Sequence, residues 1–565
     1  MLGDSPAKEN RVEQRPETLP LLSTKWLTIV ALLVVVLAFV SGRFILYAFR
    51  EMEAVVSRVP DDVGYFYKIA LNVVSDKGLT FDGINATNGF QPLWLYMLLP
   101  LARTMRDSPV DLYLRAALIY QLVLVTLAGV VFFSAMSLIS RRSVALAATA
   151  LFYIFGTRYL ANGMETGALV LCLGLLLYFS LKYRPFSGDC TLKHAFLFGL
   201  LLGITVLARL DTVYLVAIIY TFLLWKIILY ANHAERIHIF KQFAVSICSV
   251  VLVTAPYLVY NNIHFGSVMP ISGQLKNSFP HILQANFGTE RFPSAVFQVL
   301  AFIGIATLTS AFLSLRQKRA SSAPERYTFI ILVIGTLYVI LHYLHTALFM
   351  KWGVFRWHFA FYFFHASLLF GYVLDRFVNR LSGSASRLSI TAISLALFIV
   401  LSVLSYWTAT TGLRGWEYQS YQLAVWVRNN LPQDARLALK DTGLFGLLSE
   451  RSVVNLDGLV NNLEYQEYLR KRQLNEYLRL KGVQYLVRHL HSARAPEYEK
   501  VVNASYEYLD FPYRSYLYDT FSEPVRVYRE DEVYRSPLYQ DGQHRAVYVI
   551  WKLRYRTRED SSKTP

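Results

Sequence analysis

Two adjacent aspartates, Asp61 and Asp62, follow Pro60 at the head of an apolar-faced run, GYFYKIALNVV. Neighbouring carboxylates raise one another's proton affinity, and at a membrane interface that suits one of them to abstract a proton. The pair fits a purely structural role equally well, with Asp61 as the N-cap of the following helix and Asp62 as a first-turn carboxylate favoured by the helix dipole. Further polar residues stand at the ends of apolar runs: Asn88 and Gln91 in NGFQPLW, Arg158 and Glu165 in RYLANGME, Arg209 and Asp211 in ARLD, Lys276, and Arg356 with His358. Such side chains are costly beside a membrane span unless they have a task or a partner. Each also has a plain reading. Asn162 and Glu165 have the spacing of a capping box, Arg209 and Asp211 that of a local ion pair, and Lys276 could be a solvated or snorkelling charge. Asp82-Gly83 and Asn88-Gly89 are turn dipeptides. Chemistry requires that the fold gather these groups on one side.

The elements that must do so are membrane helices. Of 565 residues, 54% are hydrophobic and only 17% charged, with a mean hydropathy of +0.34. A soluble particle carries roughly 25% charge. A soluble enzyme and a disordered chain are therefore both excluded. Fifty-six basic against 39 acidic residues give a net charge of +17, which here is read loop by loop rather than as a nucleic-acid footprint. With about 20 apolar residues needed per crossing, the sequence predicts eleven spans, at 25–48, 113–140, 143–158, 164–183, 193–208, 212–231, 240–260, 293–315, 327–349, 357–377 and 386–408. The run 92–104 is too short to cross and is expected as a re-entrant or juxtamembrane helix.

Residues 1–24 read as a cytoplasmic tail and the first span as a retained anchor. The 25–408 region is then the membrane domain, with a first external loop at 49–91. Under this count fifteen Lys and Arg residues fall in the inner loops after residue 140. Six fall outside: Arg158, Arg209, Lys276, Arg291, Lys351 and Arg356. That asymmetry sets the orientation. It places the polar residues above on the external face, together with the C-terminal domain.

From 409 to 565 charges recur throughout and no span occurs. A helical pattern (YQLAVWVRNNL), strand patterns (RLALK, SVVNL, VQYLVR, VRVYRE, AVYVIWKLRY), a Gly-containing turn (DTGLFG) and a Tyr-rich helix predict a small extracytoplasmic α/β domain. Cys172, Cys190 and Cys248 are too few for a disulfide framework. No Cys-x-x-Cys, Rossmann fingerprint or P-loop occurs. Asn85 and Asn503 open glycosylation sequons on the external side.

The segment DDVGYFYKIALNVVSDKGLTFDGINATNGFQPLW resembles the first external loop of the GT-C superfamily of polytopic membrane glycosyltransferases. NGMET, LARLD, YNNIHFGSVMPISGQLK and DTGLFGLLSERSVVNLDGLVNN are similar to recurring segments of a bacterial branch that includes arabinofuranosyl- and mannosyltransferases. The resemblance covers most of residues 55–490. It implies an inverting transferase of the bacterial inner membrane that moves a hexose or pentose from a polyprenyl-phosphate carrier to a glycan, lipid or protein acceptor. Asp61 would then be the base, and Asp62 would orient it or help hold a divalent cation, Mg or Mn. Arg209, Lys276 and Arg356 would neutralise the departing lipid phosphate. Glu165 and Asp211 would bind sugar hydroxyls or orient the cations, and Asn88, Gln91, Arg158 and His358 would complete the substrate site. The expected partners are the lipid-linked donor, its acceptor and membrane lipid, with no nucleic acid. The alternative is a transporter or flippase of lipid-linked glycans. That class favours mid-span charges and internal repeats, whereas here the charges sit at span ends and no repeat is found.

Overall fold

The computed structural model describes residues 24–185, 187, 190–229, 233–283, 323–381, 383–410 and 415–555. Among them nine helices are long and apolar enough to cross a membrane: Trp26–Phe49, Val110–Met136, Arg142–Leu160, Thr166–Tyr183, Leu210–Ile228, His233–Phe265, Glu325–Phe349, Arg356–Asn379 and Gly383–Thr410. The expected span at 193–208 is the helix Leu192–Ala208, 17 residues long. The expected span at 293–315 lies outside the described residues. The chain is a polytopic helical membrane protein.

Small residues let these helices approach closely, as membrane packing requires. A Cβ at Gly199 would fall 2.3 Å from the Ser246 carbonyl oxygen, which ties Leu192–Ala208 to His233–Phe265. The helix Pro92–Thr104 matches the short run expected at 92–104. It packs on Val63–Val74, and Trp94 stacks on Tyr120 with ring centroids 6.0 Å apart.

The C-terminal region builds a mixed sheet. Strand Arg436–Leu439 pairs in parallel with Ser452–Asn455 on one side and Tyr485–His491 on the other. His544–Lys552 then runs antiparallel to Tyr485–His491, with Glu532–Arg535 and Tyr539–Asp541 beyond it. The alternation of a strand sends its side chains to two cores. Val547, Val549 and Trp551 join one that lies within the domain, beneath the helices Leu463–Arg470 and Leu474–Leu480. Tyr548 and Ile550 join the other, which is shared with Val63, Phe66, Tyr67 and Ile69 of the first loop. The domain is thus fastened to the first loop by a continuous apolar core, through the helices Trp416–Asn430 and Gly443–Leu448. Burial of this kind stabilises by roughly 25 cal/mol per Å².

Candidate active site

Asp61 and Asp62 sit at the head of Val63–Val74, yet neither carboxylate caps that helix. Asp61 is buried and reaches across to the C-terminal domain. Its Oδ2 accepts the Gly443 N–H at 2.7 Å and its Oδ1 accepts the Leu444 N–H at 2.8 Å. These are the first two N–H groups of the helix Gly443–Leu448, which have no partner within their own helix. The approach is possible because both backbones are bare. A Cβ at Gly64 would lie 2.0 Å from the Gly443 carbonyl, and one at Gly443 would lie 2.0 Å from the Asp61 carbonyl oxygen. Burial, with help from Asp62 and Asp441, pushes the Asp61 carboxyl well above the usual carboxylate range, and the two N–H bonds oppose that shift.

Asp62 faces the other way, into a cavity of about 270 Å³ between the membrane helices, the first loop and the C-terminal domain. Its carboxylate accepts no hydrogen bond from a described residue. Burial raises its pKa, Lys276 pulls it down, and Asp457 pushes it up. Lys276 ends the short helix Ile271–Lys276, and among the described residues its ammonium has no hydrogen-bond or ion-pair partner.

Opposite stands a charged network at the ends of three spans. Arg209 donates from Nη1 to Glu165 at 2.9 Å and to the Trp357 carbonyl at 3.1 Å. It also grips Asp211 with Nε at 3.1 Å and Nη2 at 2.7 Å. His342 Nε2 meets the same Asp211 oxygen at 3.1 Å, and His342 Nδ1 meets the Tyr362 hydroxyl at 2.9 Å. Tyr214 and His345 pair at 2.8 Å on the cavity wall. Burial raises the Glu165 carboxyl against the pull of Arg209. Its Oε1 is spoken for, while Oε2 is buried with no described partner.

The fold therefore brings Asp62, Gln91, Glu165, Arg209, Asp211, Lys276 and His358 to one cavity. Gln91 fixes a neighbouring loop by accepting the Leu210 N–H at 3.2 Å. Asn88 lies behind the wall, where its Oδ1 accepts the Ile271 N–H at 2.9 Å and anchors the Lys276 helix. Arg158 and Arg356 do not line the cavity. Both are exposed, their guanidinium carbons 5.9 and 6.0 Å from the ring centre of Tyr159. The capping box expected of Asn162 and Glu165 does not form, because Glu165 turns to Arg209. Asn162 instead accepts from the Met164 N–H at 3.1 Å.

Sequence reasoning missed several lining residues. His342 and His345 stand three apart in the apolar run LHYLHTALF, and histidine inside a span is itself a signal of function. Tyr65 was legible only as part of an apolar face. Its hydroxyl donates to Asp457 at 3.3 Å, and Asp457 also accepts from Asn455 at 2.9 Å and from the Asp441 N–H at 3.0 Å. Among the described residues no group of three or more His, Cys, Asp or Glu side chains is arranged to hold a metal ion.

A family model described as a domain of unknown function, DUF8728, matches residues 410–534. No curated protein matches the chain. Three structures of the Archaeoglobus fulgidus oligosaccharyltransferase share its fold at 14% identity. The apo form aligns with a TM-score of 0.55, covering 89% of this chain and 76% of that one. The form tethered to an acceptor peptide and the complex of AglB with an inhibitory peptide and a dolichol-phosphate each align at 0.52, covering 88% and 74%. Membrane helices crowned by a C-terminal sheet domain, aligned over most of both chains, give this protein the GT-C-like fold.

Proposed function

We propose that the chain is an inverting glycosyltransferase that takes a sugar from a polyprenyl-phosphate carrier and passes it to an acceptor hydroxyl at the external membrane surface. One observation carries the reading. Asp62 presents a carboxylate that accepts no described hydrogen bond to a cavity that Lys276 and the Arg209 network also line. A lipid-bound donor must be met where lipid and water adjoin, and the cavity lies at the ends of the spans. The dolichol-phosphate and acceptor peptide named in the AglB complexes are the ligands of a protein with this fold and support the same reading.

In this mechanism Asp62 takes the proton of the acceptor hydroxyl. The acceptor oxygen bonds to the anomeric carbon from the face opposite the phosphate, and the bond from that carbon to the phosphate oxygen breaks with its electrons on the phosphate. The configuration inverts in one step. Lys276 neutralises the departing phosphate, with Arg209 behind it, as developing anionic charge requires. Glu165 holds the Arg209 guanidinium in place through Oε1. Asp61 acts as a positioning residue, since both of its oxygens are held by backbone N–H groups. The base is thereby reassigned from Asp61 to its neighbour.

The reading is tested by incubating the purified protein in detergent with radiolabelled polyprenyl-phosphate sugars and an acceptor extract from the host envelope. Labelled product formed without any membrane gradient is the expected result. Donor binding without sugar release, whatever the sugar and extract, would return the chain to the transporter class.

A further inference from the structure

A second polar cavity, of about 260 Å³, opens in the C-terminal domain. Lys440, Arg488 and Arg494 line it beside the carboxylates Asp441 and Asp541. Among the described residues none of these three cations forms an ion pair with a carboxylate. Lys440 and Arg488 rest instead on aromatic faces, with Lys440 Nζ 5.2 Å from the Tyr513 ring centre and the Arg488 guanidinium 4.4 Å from that of Phe511. Arg488 Nε is buried without a hydrogen-bond partner. Asp541 lies 3.8 Å from His491. Burial and the neighbouring His491, Arg488 and Arg494 hold His489 down to about 4, so its imidazole is neutral at physiological pH.

The rest of the wall is aromatic. Tyr548 and His489 stack at 4.6 Å, and Trp416 continues the stack at 6.5 Å from His489. Flat rings beside the exposed guanidinium of Arg494 match a sugar ring that bears an anion. The cavity also adjoins the reacting centre. Asp441 lines it, the Asp441 N–H donates to Asp457, and Asp457 accepts from Tyr65, which lines the first cavity with Asp62.

We propose that the cavity formed by Trp416, Lys440, Arg488 and Arg494 is the acceptor subsite and takes a sugar carrying a carboxylate or a phosphate group. The proposal rests on the transferase reading above. It gives the matched domain a task, which is to hold the anionic end of the acceptor while a hydroxyl reaches Asp62.

The test is equilibrium binding to the full-length protein in detergent, using glucuronate, glucose 6-phosphate, glucose and inorganic phosphate as separate probes. At least one anionic sugar should bind about tenfold or more tightly than both glucose and inorganic phosphate. Arg494 is exposed and donates no described side-chain hydrogen bond, so Arg494→Gln should keep the wild-type melting temperature and abolish the preference. Trp416→Ala should remove the advantage over inorganic phosphate. Anionic sugars that bind no more tightly than glucose, or a preference that survives Arg494→Gln, overturn the proposal while leaving the transferase reading intact. Arg494-dependent binding in a protein that transfers no sugar brings down the transferase reading, and the acceptor role with it.

Discussion

The carboxylate of Asp61 meets the backbone of Gly443, 382 residues further along the chain, at 2.7 Å. This contact joins the first loop to the C-terminal domain and turns Asp62 toward the cavity. It separates two adjacent aspartates into one that holds the architecture and one whose carboxylate faces the cavity.

Asp61→Asn should loosen the docking. An amide offers one acceptor oxygen and sets its NH₂ against the second backbone N–H. An unpaired buried group costs about 1–3 kcal/mol. Hydrogen exchange across 443–448 should quicken and the melting temperature should fall. Unchanged exchange there would remove the clamp.

Gly64→Ala should be more damaging, because its new methyl would lie 2.0 Å from main-chain atoms that no rotamer change can move. Limited proteolysis should release the C-terminal domain from this variant and not from wild type. A protease pattern like that of wild type would show that the two backbones tolerate separation.

Arg209→Ala should destabilise the fold as well as weaken donor binding. It strands Glu165 and Asp211, and removing one partner of a buried ion pair costs about 3–5 kcal/mol. Arg209→Lys keeps the charge but cannot grip both carboxylates at once. It should fold near normally and raise the KM for the lipid donor. Wild-type donor kinetics in Arg209→Lys would place the phosphate elsewhere.

The pH profile should carry the signature of Lys276. The base works as a carboxylate, so kcat/KM rises with pH through the pKa of Asp62. Burial holds that pKa up and Lys276 pulls it down. Lys276→Met removes the downward pull, so the acid limb should move to higher pH. A limb that stays in place or moves to lower pH would separate Lys276 from the base.

Much of the architecture was legible. Ten of the eleven expected spans coincide with described helices, because a bilayer demands long apolar runs that no other constraint mimics. The strands Arg436–Leu439 and Ser452–Asn455 are likewise legible as the short runs RLALK and SVVNL. The Asp61–Gly443 contact was not legible, since hydrogen bonds between distant segments leave no periodicity. DTGLFG reads as a turn, whereas Gly443–Leu448 is a helix too short to show a repeat. Arg158 and Arg356 were grouped with the site because they share its face, but sharing a face does not decide which way a side chain points. The histidines of LHYLHTALF carried a usable signal that the emphasis on span ends passed over.

The central claim is that Asp62 is the base. Single-turnover transfer from a radiolabelled polyprenyl-phosphate sugar by Asp62→Asn, compared with wild type at saturating donor, tests it most directly. Loss of a general base costs about 10²–10⁴ in rate. The account predicts a fall of that size with donor affinity and melting temperature unchanged, and transfer at the wild-type rate would contradict it.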